Sequence, residues 1–279
     1  MYQPLCILIM AHDHEILLRN LLRRLTHPQV LVFVHIDKKS SALFLQLSGT
    51  PGIKLIQNRV NVQWAHISQA EAVFASYKEI IAGGYSFAHF IVISGQDYPI
   101  RPLPELLKFL ADQREKSFLS YAPLSNDGWR LARKRYRYYY YVPAEKLWRG
   151  IMMLTGIRRR FPLRLIPYGG AQWINLAREH MDYVIEFWDR NPEMAQFMKT
   201  ARFPEEIIFQ SILLNSAFQK HCVNNDLRFV KWLPGKSNPE ILTEEYKQEI
   251  MDATDKYFAR KFDTRLSAAL IDSLDNVLS

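Results

Sequence analysis

Three continuous apolar runs, Pro4–Ala11, Val30–Ile36 and Ala88–Ser94, alternate with segments whose apolar residues recur at helical spacing. A strand too apolar to alternate is buried on both faces, which antiparallel sheets facing water do not require. The segments between the runs read as helices. His14–Leu25 carries Ile16, Leu17, Leu21, Leu22 and Leu25, Ser68–Ala82 runs into Gly83-Gly84, and Pro102–Gln113 completes the set. Shorter strands are expected at Ile53–Gln57 and Phe118–Tyr121. The alternation predicts an α/β fold with a mostly parallel central sheet and helices on both faces. Ligands of such sheets bind outside the carboxyl ends of the strands. Attention therefore falls on Ala11-His12-Asp13, His35-Ile36-Asp37 and Ser94-Gly95-Gln96-Asp97.

From Asn126 to Gly170 the pattern gives way to basic, tyrosine-rich sequence punctuated by Pro and Gly, read as an insertion that is partly helical near Ala144–Leu154. Beyond it, strands are expected at Ala171–Leu176 and Leu227–Lys231, and helices at Ala177–Asp189 and Pro204–Ser216. Further helical patterns lie around Glu244–Phe258 and Arg265–Val277. No repeat or low-complexity linker divides the chain, so residues 1–279 are read as a single domain.

The composition is that of a folded protein, with 48% hydrophobic and 23% charged residues. Two cysteines, Cys6 and Cys222, make no disulfide framework, and no stretch reaches the ~18 apolar residues of a membrane helix. The expectation is a cytoplasmic protein. The net charge of +8 is concentrated in Trp129–Arg137 and in Arg149–Arg164, which contains Arg149, Arg158, Arg159, Arg160 and Arg164. The second segment mixes cations with apolar side chains, as an interfacial segment on an anionic membrane would. It equally fits the wall of an acceptor site. The first, through RKRYRYYYY, interleaves cations with aromatics as single-strand binders do. Nucleic-acid binding is thus a rival reading, although the signatures of the common nucleic-acid folds are missing.

No Gly-rich phosphate loop, GxSxG or zinc-spaced His/Cys set occurs, and no Asp-X-Asp. Three places carry candidate chemistry. Glu205 and Glu206 follow Pro204 at the start of an apolar helical run, where a rigidly held carboxylate can be a general base or a simple helix cap. Asp37 and Asp97 stand just past strand ends, as turn residues or as acceptors for ligand hydroxyls. Arg260-Lys261 is a cation pair that can be surface charge or a counter-charge to phosphate.

Eight segments then line up in order: AHDHEILLRNLLRRL, VLVFVHIDKKS, VQWAHISQAEA, FIVISGQDYPIRP, GGAQWINLARE, FPEEIIFQSILLNS, LRFVKW and FARKFD, spanning Ala11 to Asp263. In these segments the chain resembles the Core-2/I-branching enzymes, glycosyltransferase family 14, in a compact bacterial-type form. The resemblance implies a GT-A-like fold, an inverting transfer from a UDP-sugar and no metal or other cofactor. It implies Glu206 as the catalytic base and Arg260 and Lys261 as holders of the donor diphosphate. It further implies donor contacts from Asp37, Trp64 and Ser68, and sugar or acceptor contacts from Asp97, Trp173 and Glu205. The expected partners are a UDP-sugar, GlcNAc or xylose foremost, and a glycan or lipid-linked saccharide. Contact with the inner face of the cytoplasmic membrane is also expected, and nucleic acid is not. The 126–170 segment does not match the family, so the acceptor is not implied. A catalytically inactive sugar-binding member remains the other alternative.

Overall fold

The computed structural model describes residues 5–125, 130–236 and 238–278. Pro4 and positions 126–129, at the start of the expected insertion, lie outside them. A seven-stranded sheet forms the centre. Its strands are β1 (Leu5–Ala11), β2 (Val30–Ile36), β3 (Lys54–Leu55), β4 (His89–Ser94), β6 (Ser117–Leu119), β9 (Asn175–Ala177) and β10 (Cys222–Asn224), in the order β10-β6-β9-β4-β1-β2-β3. All neighbours pair in parallel except β9, which runs antiparallel to β4 and β6. The predicted α/β class and mostly parallel sheet are what the chain forms.

The apolar runs explain this directly. Along β1, Cys6, Leu8 and Met10 enter one core, and Leu5, Ile7, Ile9 and Ala11 enter the other. The first core is covered by α3 (Ser68–Ala82), α7 (Arg178–Arg190), α8 (Pro192–Met198) and α9 (Ile208–Leu213), the second by α1 (Glu15–Leu25), α2 (Ser41–Leu47) and α4 (Leu103–Asp112). Cys6 is fully buried as one of these apolar side chains, and both cysteines are free. A small second sheet joins β11 (Arg228–Val230), β12 (Phe258–Arg260) and β5 (Tyr98–Pro99), backed by α10 (Lys247–Asp252) and α11 (Ala268–Leu278).

The 126–170 segment, so far as it is described, supplies α5 (Arg130–Arg137) and α6 (Glu145–Thr155), the latter close to the expected helix. Its tyrosines do not form a continuous platform. Tyr136, Tyr138 and Tyr140 are buried, and only Tyr139 and Tyr141 are exposed.

The expected helix Pro204–Ser216 is broken. Pro204–Glu206 forms a single 3₁₀ turn, and α9 starts only at Ile208. The cause is a competing partner. The Glu206 carbonyl accepts a hydrogen bond from Gly170 N at 2.9 Å, and Phe203, at φ 53°, sets the turn's entry. The two acids therefore sit on a pinned turn, not in the first turn of a long helix.

Gly170 follows β8 (Tyr168–Gly169), which pairs with β7 (Ala122–Pro123). A Cβ at Gly170 would stand 1.8 Å from the Ser120 carbonyl oxygen, so no other residue fits without moving backbone. Gly170→Ala is expected to lower Tm by roughly 6 °C or more in a thermal melt, the scale of a forced overpacking.

Candidate active site

The sheet's pairing brings the predicted strand-end residues together. Ala11 pairs with Ile36, and Met10 with Ser94, so the loops after β1, β2 and β4 leave the sheet side by side. Hydrogen bonds then stitch these loops into a rim. Ser40 Oγ donates to the His12 carbonyl at 2.6 Å, and Lys38 N to the Val60 carbonyl at 3.1 Å. Phe203 N donates to the Ala65 carbonyl at 2.9 Å, and Gly170 N to Glu206 as described. Three residues past Gly170, the Trp173 ring receives the Arg260 guanidinium at 4.5 Å. Phe262 N donates to the Gln96 carbonyl at 2.9 Å, and Gln96 Nε2 lies 3.3 Å from His14 Nε2. Through these contacts and the chain between them, the loops after β1, β2 and β4 are connected in a circuit with the Glu206 turn and the Arg260-Lys261 segment. Asp37, Trp64, Asp97, Trp173, Glu206, Arg260 and Lys261 all stand on it or beside it.

Within the circuit, Asp97 is fully buried. One carboxylate oxygen accepts from Ser94 N at 2.7 Å and lies 3.5 Å from Arg228 Nε; the other lies 3.7 Å from Arg260 Nη1. Trp173 covers both guanidiniums, at 5.4 Å and 4.5 Å. Two arginines thus share one carboxylate. Among the described residues, Nε and Nη1 of each have no hydrogen-bond partner, nor does Asp97 Oδ1. Burial pushes the Arg260 guanidinium below its ordinary value, with Asp97 opposing. The Arg228 side chain is wholly enclosed, whereas Arg260 retains 13% exposure. The uncompensated cation of the set is presented through Arg260. Lys261, next in sequence, has no hydrogen bond or ion pair from its ammonium among the described residues.

The donor residues implied by the resemblance are placed unevenly. Asp37 is nearly buried and accepts from Lys39 N at 2.9 Å, a turn-forming bond that leaves its second oxygen 3.6 Å from Lys39 Nζ. Ser68 is buried and already engaged, accepting from Gln63 N at 2.8 Å. Trp64 is 73% exposed and meets Phe203 edge-on at 5.0 Å, with the Arg202 guanidinium 5.2 Å from its ring. Its contacts are therefore with the glutamate turn. His35 is held neutral by burial, its pKa lowered to about 4, and its Nε2 accepts from Val60 N to fix the same loop.

The two glutamates differ sharply. Glu206 forms an ion pair with Arg135 of α5, whose guanidinium also lies 4.7 Å from the Phe203 ring. Burial pushes the Glu206 carboxyl above the usual range, and Arg135 pulls it back. A carboxylate with raised basicity, paired with a cation that opposes the rise, suits a general base. Glu205 points inward. One of its oxygens is buried with no hydrogen-bond partner among the described residues, and burial pushes its carboxyl up to about 8. Sequence reasoning missed both Arg135 and Arg228. Arg135 was one cation among many in a basic run, and Arg228 one charge inside the LRFVKW segment. Among the described residues no group of three or more His, Cys, Asp or Glu side chains is placed to hold a metal ion.

The Glu205 environment fixes a sign. The native state retains its proton up to about pH 8, whereas an unfolded chain releases it near ~4.3. Its contribution to stability therefore falls as pH rises through that window and is constant outside it. Glu205→Gln is expected to flatten this dependence. Differential scanning calorimetry should show the wild-type Tm dropping more than the variant's between about pH 5 and pH 8.

The chain is similar to a known family and to several known proteins. The family model for the Core-2/I-branching enzyme matches residues 7–256. Xylosyltransferase 2 of Rattus norvegicus is 24% identical over 286 residues, covering 92% of this chain and 32% of the relative. Xylosyltransferase 1 of the same organism is 25% identical over 283 residues, covering 94% of this chain and 34% of the relative. The chain thus spans about a third of the length of these relatives. Among solved structures, core-mannan synthase A of Aspergillus fumigatus is similar at 8% identity and a TM-score of 0.37, over 78% of this chain and 71% of that one. Since the family model covers most of its length, the chain belongs to the Core-2/I-branching enzyme family, a family of glycosyltransferases.

Proposed function

We propose that this glycosyltransferase moves a sugar from a UDP-sugar, UDP-GlcNAc or UDP-xylose foremost, to a hydroxyl of a glycan or lipid-linked saccharide, with inversion and without a metal ion. The observation that supports this reading is the run of contacts linking the Glu206 turn, through Gly170 and Trp173, to the Arg260-Lys261 segment.

In the proposed reaction Glu206 takes the proton of the acceptor hydroxyl as its oxygen attacks the anomeric carbon. The bond from that carbon to the diphosphate breaks on the opposite face, and UDP departs with the bonding pair. The transition state is oxocarbenium-like, as in glycoside hydrolysis. Negative charge develops on the diphosphate, and Arg260 and Lys261 are the cations to meet it. The residual exposure of Arg260, beside a wholly enclosed Arg228, supports that assignment. Asp97 then acts chiefly by holding the guanidinium in place. Trp64, exposed beside the Phe203 turn, offers a ring to an acceptor sugar face, and Trp173 stands behind Arg260. Arg135 is a positioning residue that keeps Glu206 ionised and oriented.

Glu206→Gln is expected to cut turnover by roughly 10²–10⁴-fold while UDP affinity by calorimetry stays unchanged. Arg135→Gln should move the acid limb of the pH–rate profile to higher pH, since it removes the influence that lowers the Glu206 pKa, and Arg135→Lys should restore part of the shift. Full turnover in Glu206→Gln removes the base from that position.

Lys261→Ala should weaken UDP binding by about tenfold or more, the size of a lost charge-assisted contact, with EDTA making no difference to wild-type binding or rate. Unchanged UDP affinity in Lys261→Ala, or strict manganese dependence, contradicts the metal-free diphosphate site. A protein that binds UDP yet turns over none of a panel of UDP-sugars is the inactive sugar-binding alternative.

A further inference from the structure

Helix α6 displays an apolar stripe to solvent. Leu147, Ile151 and Leu154, at i, i+4 and i+7, lie along one side with Trp148 beside them, and they are 64%, 39%, 89% and 51% exposed. Ile157, Leu163 and Ile166, in the chain that follows, are exposed at 62%, 39% and 55% and extend the patch. A concentration of exposed apolar side chains of this kind marks an interaction site.

The opposite side of α6 is firmly seated. Met152 is buried with Tyr138 and Tyr140, and Arg149 pairs with Glu145 while lying over the Tyr140 ring. The following loop is locked by Arg159, whose guanidinium donates to the carbonyls of Tyr138, Phe197 and Thr200 and rests 3.8 Å from the Phe197 ring. The apolar side chains are thus held outward by an anchored scaffold.

Charge selects the occupant. Residues 130 to 170 hold eleven Lys and Arg against one acid, Glu145, so this segment carries more than the whole chain's net charge. Around the stripe, Lys146, Arg158, Arg160 and Arg164 are exposed, and none has an acidic partner among the described residues. A second copy of the chain would bring the same cations to the interface and be repelled. An anionic lipid bilayer supplies both what the stripe and what its rim require: acyl chains for leucine and tryptophan, headgroup phosphates for lysine and arginine. Among the described residues no helix is long and apolar enough to cross a membrane, so the contact would be a seating on one leaflet.

We propose that α6 and the loop to Ile166 form a docking face for an anionic membrane surface, with Leu147, Trp148, Ile151 and Leu154 entering the headgroup boundary. The face lies on the same segment as α5, whose Arg135 meets Glu206. It requires no transfer chemistry, and its test needs no substrate.

The test is sedimentation of the full chain with phosphatidylcholine vesicles and with mixed phosphatidylcholine–phosphatidylglycerol vesicles. Binding is expected only to the mixed vesicles, and it should weaken as salt rises. Leu147→Ser with Leu154→Ser should reduce it by at least about tenfold while leaving the thermal melt and UDP affinity unchanged, because both side chains are solvent-exposed. Arg160→Gln with Arg164→Gln should reduce it as well. Brominated lipid should quench Trp148, read as the difference from Trp148→Phe. No binding to the mixed vesicles overturns the proposal, as does binding that the leucine pair does not affect. A dimer by light scattering that the leucine pair dissolves gives the face to a second copy and overturns it too.

Discussion

The interior carboxylate of Asp97 is the constraint on which the carboxyl end of the central sheet depends. It sits at the end of the central strand β4 with no solvent exposure, and it is answered by two guanidiniums, Arg228 from β11 and Arg260 from β12. Removing one partner from such a buried pair typically costs about 3–5 kcal/mol, since the remaining charge is left without compensation. The cluster thereby ties the small second sheet to the large one at a fixed position. It also leaves a surplus positive charge, shielded from water by the Trp173 ring. A surplus that would be a liability in a closed core is useful where an anion can reach it, and Arg260 is the member with residual exposure.

The glutamate turn answers a different constraint, the competition for one carbonyl. Glu206 O accepts from Gly170 N, Ile207 leaves helical backbone at φ −127°, the helix does not begin at Pro204, and the adjacent acids diverge. Glu205 turns into the core and keeps its proton near neutral pH, while Glu206 turns toward Arg135. Two chemically identical residues, one position apart, are both pushed upward by burial, but only Glu206 has a directly paired cation that opposes the shift. The tight approach of Gly170 to the Ser120 carbonyl is what allows this geometry.

The basic segment has two sides. Its buried side, through Tyr136, Tyr138, Tyr140 and Arg159, packs onto the domain and delivers Arg135 to the glutamate turn. Its outer side carries the unpartnered apolar stripe of α6. The alternation of buried and exposed tyrosines also removes the continuous stacking surface that RKRYRYYYY held out to nucleic acid.

The sequence by itself determined the fold class, the two-faced sheet and where its strands end. Unbroken apolar runs such as Val30–Ile36 and Ala88–Ser94 can be satisfied only by burial on both faces. It also put Glu206, Arg260 and Lys261 within named segments, through an ordered resemblance. It could not show that Pro204–Ser216 breaks, because the carbonyl that breaks it is claimed by a residue thirty-six positions earlier. Nor could it single out Arg135 or Arg228 from the other cations, or show that Ser68 is occupied by its own loop while Trp64 is left open. A side chain's partners and its access to water are set by chain segments distant in sequence. Those quantities existed only once the tertiary structure had brought the segments together.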